Sequence, residues 1–248
     1  IIITSIIRKK IIHIIHMTES TNEDKNTKLS ADISTCFGVF IVVTIIYTML
    51  KIIFGASTDK NWILGYILIT IIIQWQLNSI IAKDNCNDTD QFTTAILATL
   101  LPWIGMFCTI NVLLLMFPGW KSPFSNTLGY LIAYMAGIKS VFVKMLKTPE
   151  AIDKSNVNDK ALLTSIEHIY NDTSTIINEL NPVNFEDAMT RLKPLMNDEA
   201  INDPSMKEDL FKYIITKDAI GEFVWLFLSG CMAINVSYIF IVNSNCVN

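Results

Sequence analysis

Along most of this chain the hydrophobic positions do not alternate with polar ones; they run on. Stretches 35–54, 62–82, 94–117 and 220–242 are nearly continuous runs of apolar residues, and none has a Lys, Arg or Asp in its middle. Roughly 20 residues rising 1.5 Å each cross a hydrocarbon core of about 30 Å, so each run predicts a membrane-spanning helix. The first run is rich in β-branched side chains (Val39, Ile41, Val42, Val43, Thr44, Ile45, Ile46), which in water would favour a strand. In lipid a single segment must satisfy its own backbone N–H and C=O groups, and a helix does that. The fold class expected is all-α: an integral membrane bundle of about four transmembrane helices, with an interfacial helix and a small soluble helical module.

The intervals between the runs set the organisation. Residues 1–34 are a polar N-terminal tail. Residues 1–16 lack an initiator Met and read as a translated upstream leader before Met17; the alternative is a basic targeting or membrane-surface segment around Arg8, Lys9 and Lys10. Residues 35–147 hold three spans and a re-entrant or interfacial helix. The short turn at 55–61 predicts an antiparallel hairpin of the first two spans, with Trp62 and Tyr66 at the membrane interface. Gln74, Gln76 and Asn78 in the second span, Asn111 in the third and Asn235 in the fourth predict interhelical hydrogen bonds or a place close to the headgroups, with a solute pathway as the alternative.

Two prolines and two glycines punctuate Phe117-Pro-Gly-Trp-Lys-Ser-Pro-Phe-Ser-Asn-Thr-Leu-Gly-Tyr130, which predicts a turn-rich aromatic loop at the membrane surface. The apolar run that follows, 128–138, is short for a crossing. Lys139, Lys144 and Lys147 lie among Val141, Phe142, Val143, Met145 and Leu146 and would meet lipid headgroups. Residues 128–146 are therefore either an in-plane helix or a fifth crossing with snorkelling lysines.

Residues 148–219 are the one sizeable hydrophilic region. Leu162, Leu163, Ile166, Ile169 and Tyr170, then Phe185, Ala188, Met189 and Leu192, recur at helical spacing and predict a small helical module. Ser205-Met-Lys-Glu208 is a capping-box pattern for a last helix that can run straight into the final span. About 70 residues make a marginal core alone, so the module is expected to lean on the bundle or on a partner. Residues 220–248 complete the chain with the final span and a C-terminal tail.

Composition sharpens this picture. The 248 residues are 51% hydrophobic, their mean hydropathy is +0.42, and a net charge of −4 offers no basic field for nucleic acid. Lys51, Lys60, Lys121, Lys139, Lys144, Lys147 and Lys217 fall on the side of the module, against Lys25, Lys28 and Lys83 opposite. The positive-inside rule then puts the module on the cytoplasmic face or its equivalent. Cys86 and Cys246 fall together on the other side, where a disulfide between them is chemically permitted, and Asn87-Asp-Thr89 is a glycosylation sequon there. A fifth crossing would separate the two cysteines.

Catalytic chemistry finds little purchase. With the leader set aside, His168 is the sole histidine, which excludes the usual His-based general base or multi-His metal site. CxxC, HExxH, phosphate-cradling glycine loops and Gly-x-Ser-x-Gly turns are absent from the sequence. Glu186, Asp187, Asp198 and Glu199 lie at predicted helix starts, where they complement the helix dipole. Glu222, beginning the final span, reads as a carboxylate that snorkels or pairs with a lysine, with proton carriage as the alternative. No catalytic, cofactor-binding or metal residue is assigned, and the expectation is of a protein that is not an enzyme and takes no cofactor.

The segment Phe117–Tyr130 quoted above, with Ala136-Gly-Ile-Lys139 after it, resembles part of the multi-spanning virion membrane proteins of nucleocytoplasmic large DNA viruses, of the chlorella-virus and giant-virus type. The resemblance covers about twenty of the 248 residues and lies in the order of aromatics, prolines and glycines. It implies a structural or scaffold protein of the internal, host-ER-derived virion membrane, embedded in lipid and contacting other virion membrane or minor capsid proteins, with self-association left open. Pro118, Gly119, Trp120, Pro123, Phe124 and Tyr130 are then the candidate partner-facing residues. The alternative is a small multi-spanning transporter or channel of a cellular or viral membrane.

Overall fold

The computed structural model describes residues 32–55, 60–85, 91–148 and 157–244. The leader, Cys86, Asn87, Cys246 and most of the 55–61 turn lie outside these residues. Among the described residues there is no strand, and four helices are long and apolar enough to cross a membrane: α1 (Asp32–Phe54), α2 (Lys60–Asn85), α3 (Gln91–Met116) and α10 (Pro204–Asn243). Between 28% and 39% of each apolar window is buried within the protein. The remainder leaves large side chains such as Ile53, Leu68, Ile80, Met116 and Val242 on the outside, a surface that water would penalise. Between α3 and α10 lie α4 (Pro118–Ala136), α5 (Ile138–Met145), α6 (Val157–Asn171), α7 (Ser174–Glu179), α8 (Phe185–Leu192) and α9 (Asp198–Asn202).

The chain divides into two compact units. One takes the described parts of Ile1–Val42, Ile69–Phe107 and Gly230–Asn248. Its core is three buried rings, with Phe40 set edge-on to Trp103 and Phe107 at centroid distances of 5.9 and 6.2 Å. Trp103 Nε1 donates to Ser237 Oγ at 3.1 Å, so the indole is buried without an orphaned donor. Nine residues of α3, Leu100–Cys108, are wound as π-helix. Pro102 lies inside that stretch and has no N–H to give to the carbonyl of Ala98. Asn78 takes up that position: its Nδ2 donates to Ala98 O at 3.5 Å and to Thr99 Oγ1 at 3.0 Å. Asn78→Leu is expected to lower stability by about 1 kcal/mol, read from unfolding in mixed micelles, because the freed acceptors have apolar surroundings.

Gln74 bonds across helices as predicted, with its Nε2 on Cys36 O at 3.4 Å. Two of its companions do not. Gln76 faces outward, two residues from both Gln74 and Asn78 and so off their helix face. Asn235 donates to Cys231 O of its own helix, four residues back, at 2.8 Å.

The second unit, Val43–Leu68 and Cys108–Ser229, holds everything else. The expected hairpin of the first two spans is visible in its antiparallel pairs: Thr44 and Tyr66 share a 2.8 Å hydrogen bond, and Phe54 stacks on Trp62 at 5.9 Å. Tyr66 is buried rather than interfacial, because its hydroxyl is claimed inside by Thr44. Asn111 donates to Ser229 Oγ of α10 at 3.3 Å, the helix-to-helix bond the sequence suggests.

Segment 117–130 is not an irregular loop. Pro118 opens a 3₁₀ turn that passes into one α-turn, a π-turn at Ser125–Gly129 and the α-helical Tyr130–Ala136. Pro118 and Pro123 each sit in the first two positions of a turn, where a missing N–H costs nothing. Gly129 has a packing reason: with Gly221 of α10 it lets α4 and α10 touch backbone to backbone. A Cβ on Gly129 would lie 2.2 Å from Lys217 O, and one on Gly221 would lie 2.7 Å from Ser125 N. Gly137 then adopts φ +111°, reachable without strain only by glycine, and turns the chain by 77° into α5. Tyr213 Oη donates to Ala136 O at this bend, at 3.0 Å.

That turn changes the role expected of 138–146. Ile138, Phe142, Met145 and Leu146 are fully buried in one core with Ile177, Leu180, Phe185, Leu210 and Ile214. The apolar stripe of α5 therefore faces the helical module. The module completes its marginal core with α5 on one side and the first turns of α10 on the other. An antiparallel bridge between Leu146 and Met196 fastens the chain after α5 to the α8–α9 link. Asn197 serves both ends: Oδ1 accepts from Ala200 N at 2.7 Å to cap α9, and Nδ2 donates to Lys144 O at 2.8 Å to close α5. Asn197→Ala is expected to cost about 2 kcal/mol, seen as a lower melting temperature of the purified protein, since a helix cap and a carbonyl partner go together.

The start of α10 also differs from the capping-box expectation. Pro204 occupies the first helical position and Asp203 is the cap, its Oδ1 accepting from Ser205 N at 2.8 Å. Proline suits that place and moves the start upstream of Ser205. The Ser205 bonds hold the Asp203 carboxyl below its usual range, and Ser174 does the same for Asp172 before α7. With folded values depressed, the stabilisation is present above the unfolded carboxylate range of about 4 and is lost as pH falls through the lowered values.

Candidate functional site: a buried ion-pair cluster

A polar stripe runs down one face of α1. Thr44, Tyr47, Thr48 and Lys51 recur at intervals of three and four, and all four are buried. On α10 the same spacing brings Asp218 and Glu222 onto one face, and the close Gly221–Ser125 approach draws the start of α4, with Lys121, against them. The three elements meet at Glu222. Its Oε2 pairs with Lys51 Nζ at 2.7 Å and lies 3.4 Å from Lys121 Nζ, while Oε1 accepts from Tyr47 Oη at 2.7 Å. Lys121 also pairs with Asp218 Oδ2 at 2.6 Å. Lys51 and Glu222 are 4% and 5% exposed, so water does little of the solvation.

Two lysines and two carboxylates balance to zero. An isolated charge in such surroundings costs several kcal/mol, and pairing with additional hydrogen bonds is what makes burial tolerable. Chemically the arrangement is a clamp: one carboxylate ties the end of α1, the start of α4 and α10 together, and Tyr47 orients it. Lys217, 1% exposed, points elsewhere. Its Nζ donates to Asn126 Oδ1 at 2.9 Å, to Ile177 O at 3.0 Å and to Asn178 O at 3.4 Å. The last two are carbonyls at the end of α7, where a cation complements the helix dipole.

Glu222 is thus paired with lysine, one of the roles its position in the sequence suggested. Lys51 and Lys217, which the charge count places on the module side, are buried, and Lys121 is partly buried in its ion pairs. The candidate partner-facing residues divide. Pro118, Gly119 and Pro123 are exposed. Trp120 is about half exposed but packs one face on Trp225 at 6.3 Å, and Phe124 packs on the same indole at 6.2 Å. Tyr130 lies partly buried against the module core. His168 is exposed on α6. Among the described residues no group of three or more His, Cys, Asp or Glu is placed to hold a metal ion.

Reading the sequence for motifs missed this cluster, although a local signal exists. Thr44, Tyr47, Thr48 and Lys51 are a polar face on an otherwise apolar helix, and Asp218 with Glu222 repeat the spacing. Comparison with known proteins yields no similarity: no family model, curated protein or solved structure matches the chain.

Proposed function

We propose that the protein is a structural component of a membrane, held in lipid by α1, α2, α3 and α10, with the α5–α9 module and the 117–136 segment offering faces to other proteins. The observation that carries this reading is the closed ion-pair cluster. A carboxylate that receives a passing solute needs an unclaimed valence; Glu222 is claimed by Lys51, Lys121 and Tyr47 at once. Such a cluster locks helices together and fixes one arrangement. The setting carried over from the resemblance of 117–130 is the internal membrane of a large DNA virus particle. The module would lie on the cytoplasm-equivalent side, and virion membrane or minor capsid proteins would be its contacts.

The test is fractionation of membrane-containing particles together with alkaline carbonate extraction. The protein is expected to stay with the lipid and to co-purify with the particles. Since Trp120 and Phe124 are tied to Trp225, the residues to change are the outward Phe117 and Met135. Their replacement by Ala should lower particle yield while leaving the protein folded. Release by carbonate, or particles unaffected by both replacements, would defeat the proposal.

A second reading, a small transporter or channel, is favoured by one observation: ionisable groups within apolar helices commonly mark solute pathways. Solute flux into liposomes holding the pure protein, abolished by Glu222→Gln, would replace the structural reading with this one.

A further inference from the structure

Beside the ion-pair cluster, a cavity of about 270 Å³ opens between the start of α4, the α7–α8 link and α10. Its ionisable lining is Lys121, Lys217 and Asp218, two cations against one anion. Its neutral polar lining includes Ser122, Ser125 and Asn126. The capacity left is mixed: Asn178 Oδ1 is a buried acceptor with no hydrogen-bond partner, while Lys121, Asn126 and the serines keep donors. Lys121 gives two of its three N–H groups to Asp218 and Glu222. Asn126 uses its carbonyl oxygen on Lys217 and retains its amide N–H groups. The two serines add hydroxyls. Lys121 belongs to the charge-balanced cluster, so the surplus charge is that of Lys217, whose Nζ is held by Asn126, Ile177 and Asn178. That charge, with the spare donors of Lys121, Asn126 and the serines, suits a ligand rich in anionic oxygens.

We propose that this cavity binds a phosphate ester, and that its source is the headgroup of an anionic glycerophospholipid. Phe117 and Trp120, next in sequence to the lining residues Pro118 and Gly119, stack at 5.3 Å and are each about half exposed. They offer acyl chains an aromatic surface beside the polar chamber. The assignment rests on the membrane reading above. Incorporation into lipid nanodiscs is scored first, so failure of that reading shows as failure to incorporate and not as a lost lipid preference.

The experiment uses the full chain in nanodiscs of phosphatidylcholine mixed with phosphatidylglycerol, counting retained lipids by native mass spectrometry. Phosphatidylglycerol is expected to be enriched about fivefold over its bulk share, the effect of one excess surface charge. Val183 forms part of the lip and is 79% exposed, so its replacement leaves the core untouched. Val183→Glu should remove the enrichment, and Val183→Lys should raise it. Soluble glycerol 3-phosphate is added in a parallel arm. Displacement of lipid by it supports the phosphate site and reassigns the source to a soluble ester; enrichment without displacement assigns the source to lipid. Equal retention of the two lipids, unmoved by either Val183 replacement and by glycerol 3-phosphate, overturns the proposal.

Discussion

Glu222→Ala is expected to destabilise the protein by about 3–5 kcal/mol, the cost of breaking a buried ion pair from one side. The loss comes chiefly from what is left behind. Lys51 is buried and Glu222 is its salt-bridge partner, whereas Lys121 keeps Asp218. Glu222→Gln should cost less, because the amide still meets Tyr47 and the lysines as a neutral group. The decisive comparison is the double replacement Lys51→Met with Glu222→Leu. Removing both charges together should recover much of the loss, since paired apolar groups of similar volume carry no desolvation penalty. Unfolding in mixed detergent micelles reads all three. A Glu222→Ala variant as stable as the parent would mean that the cluster does not form.

The second large effect is steric and lies in the other unit. A methyl group on Gly230 would sit 1.9 Å from Phe40 Cζ, well inside any real carbon–carbon contact. Phe40 cannot yield, since it is 1% exposed and bounded by Trp103 and Phe107. Gly230→Ala should therefore cost about 3 kcal/mol, at the upper end of ordinary overpacking. In a Phe40→Ala background the same replacement should cost almost nothing, because the clash has no second party. Equal costs in the two backgrounds would show that glycine is needed there for another reason.

The four long helices were legible because continuous apolar runs of that length permit few other structures. The final helix extends further than its apolar run, since Leu210 and Ile214 are spaced for a helix that serves a core outside the run. In segment 117–130 proline and glycine read locally as loop punctuation, whereas the fold uses them within helix. Here the prolines begin turns, and Gly129 and Gly137 serve a close crossing and a sharp bend. The burial of Ile138 and Phe142 is decided by helices that come later in the chain, which the local pattern of 138–146 does not reveal. The ion pairs are the least local feature of all. Lys51 and Glu222 lie 171 positions apart, and spacing within either helix says which face is polar but not which partner it meets.

One further consequence follows from α10. Its Leu210 and Ile214 are embedded in the module, and Asp218 and Glu222 on the same unbroken rod hold the clamp. Twelve residues at 3.6 per turn separate Leu210 from Glu222, about three turns with no joint between them. Torque applied where another protein grips the module would reach the clamp undamped, and would strain Tyr47, Lys51 and Lys121 together. Docking and release at the outer face would then be felt as mechanical load on the anchor.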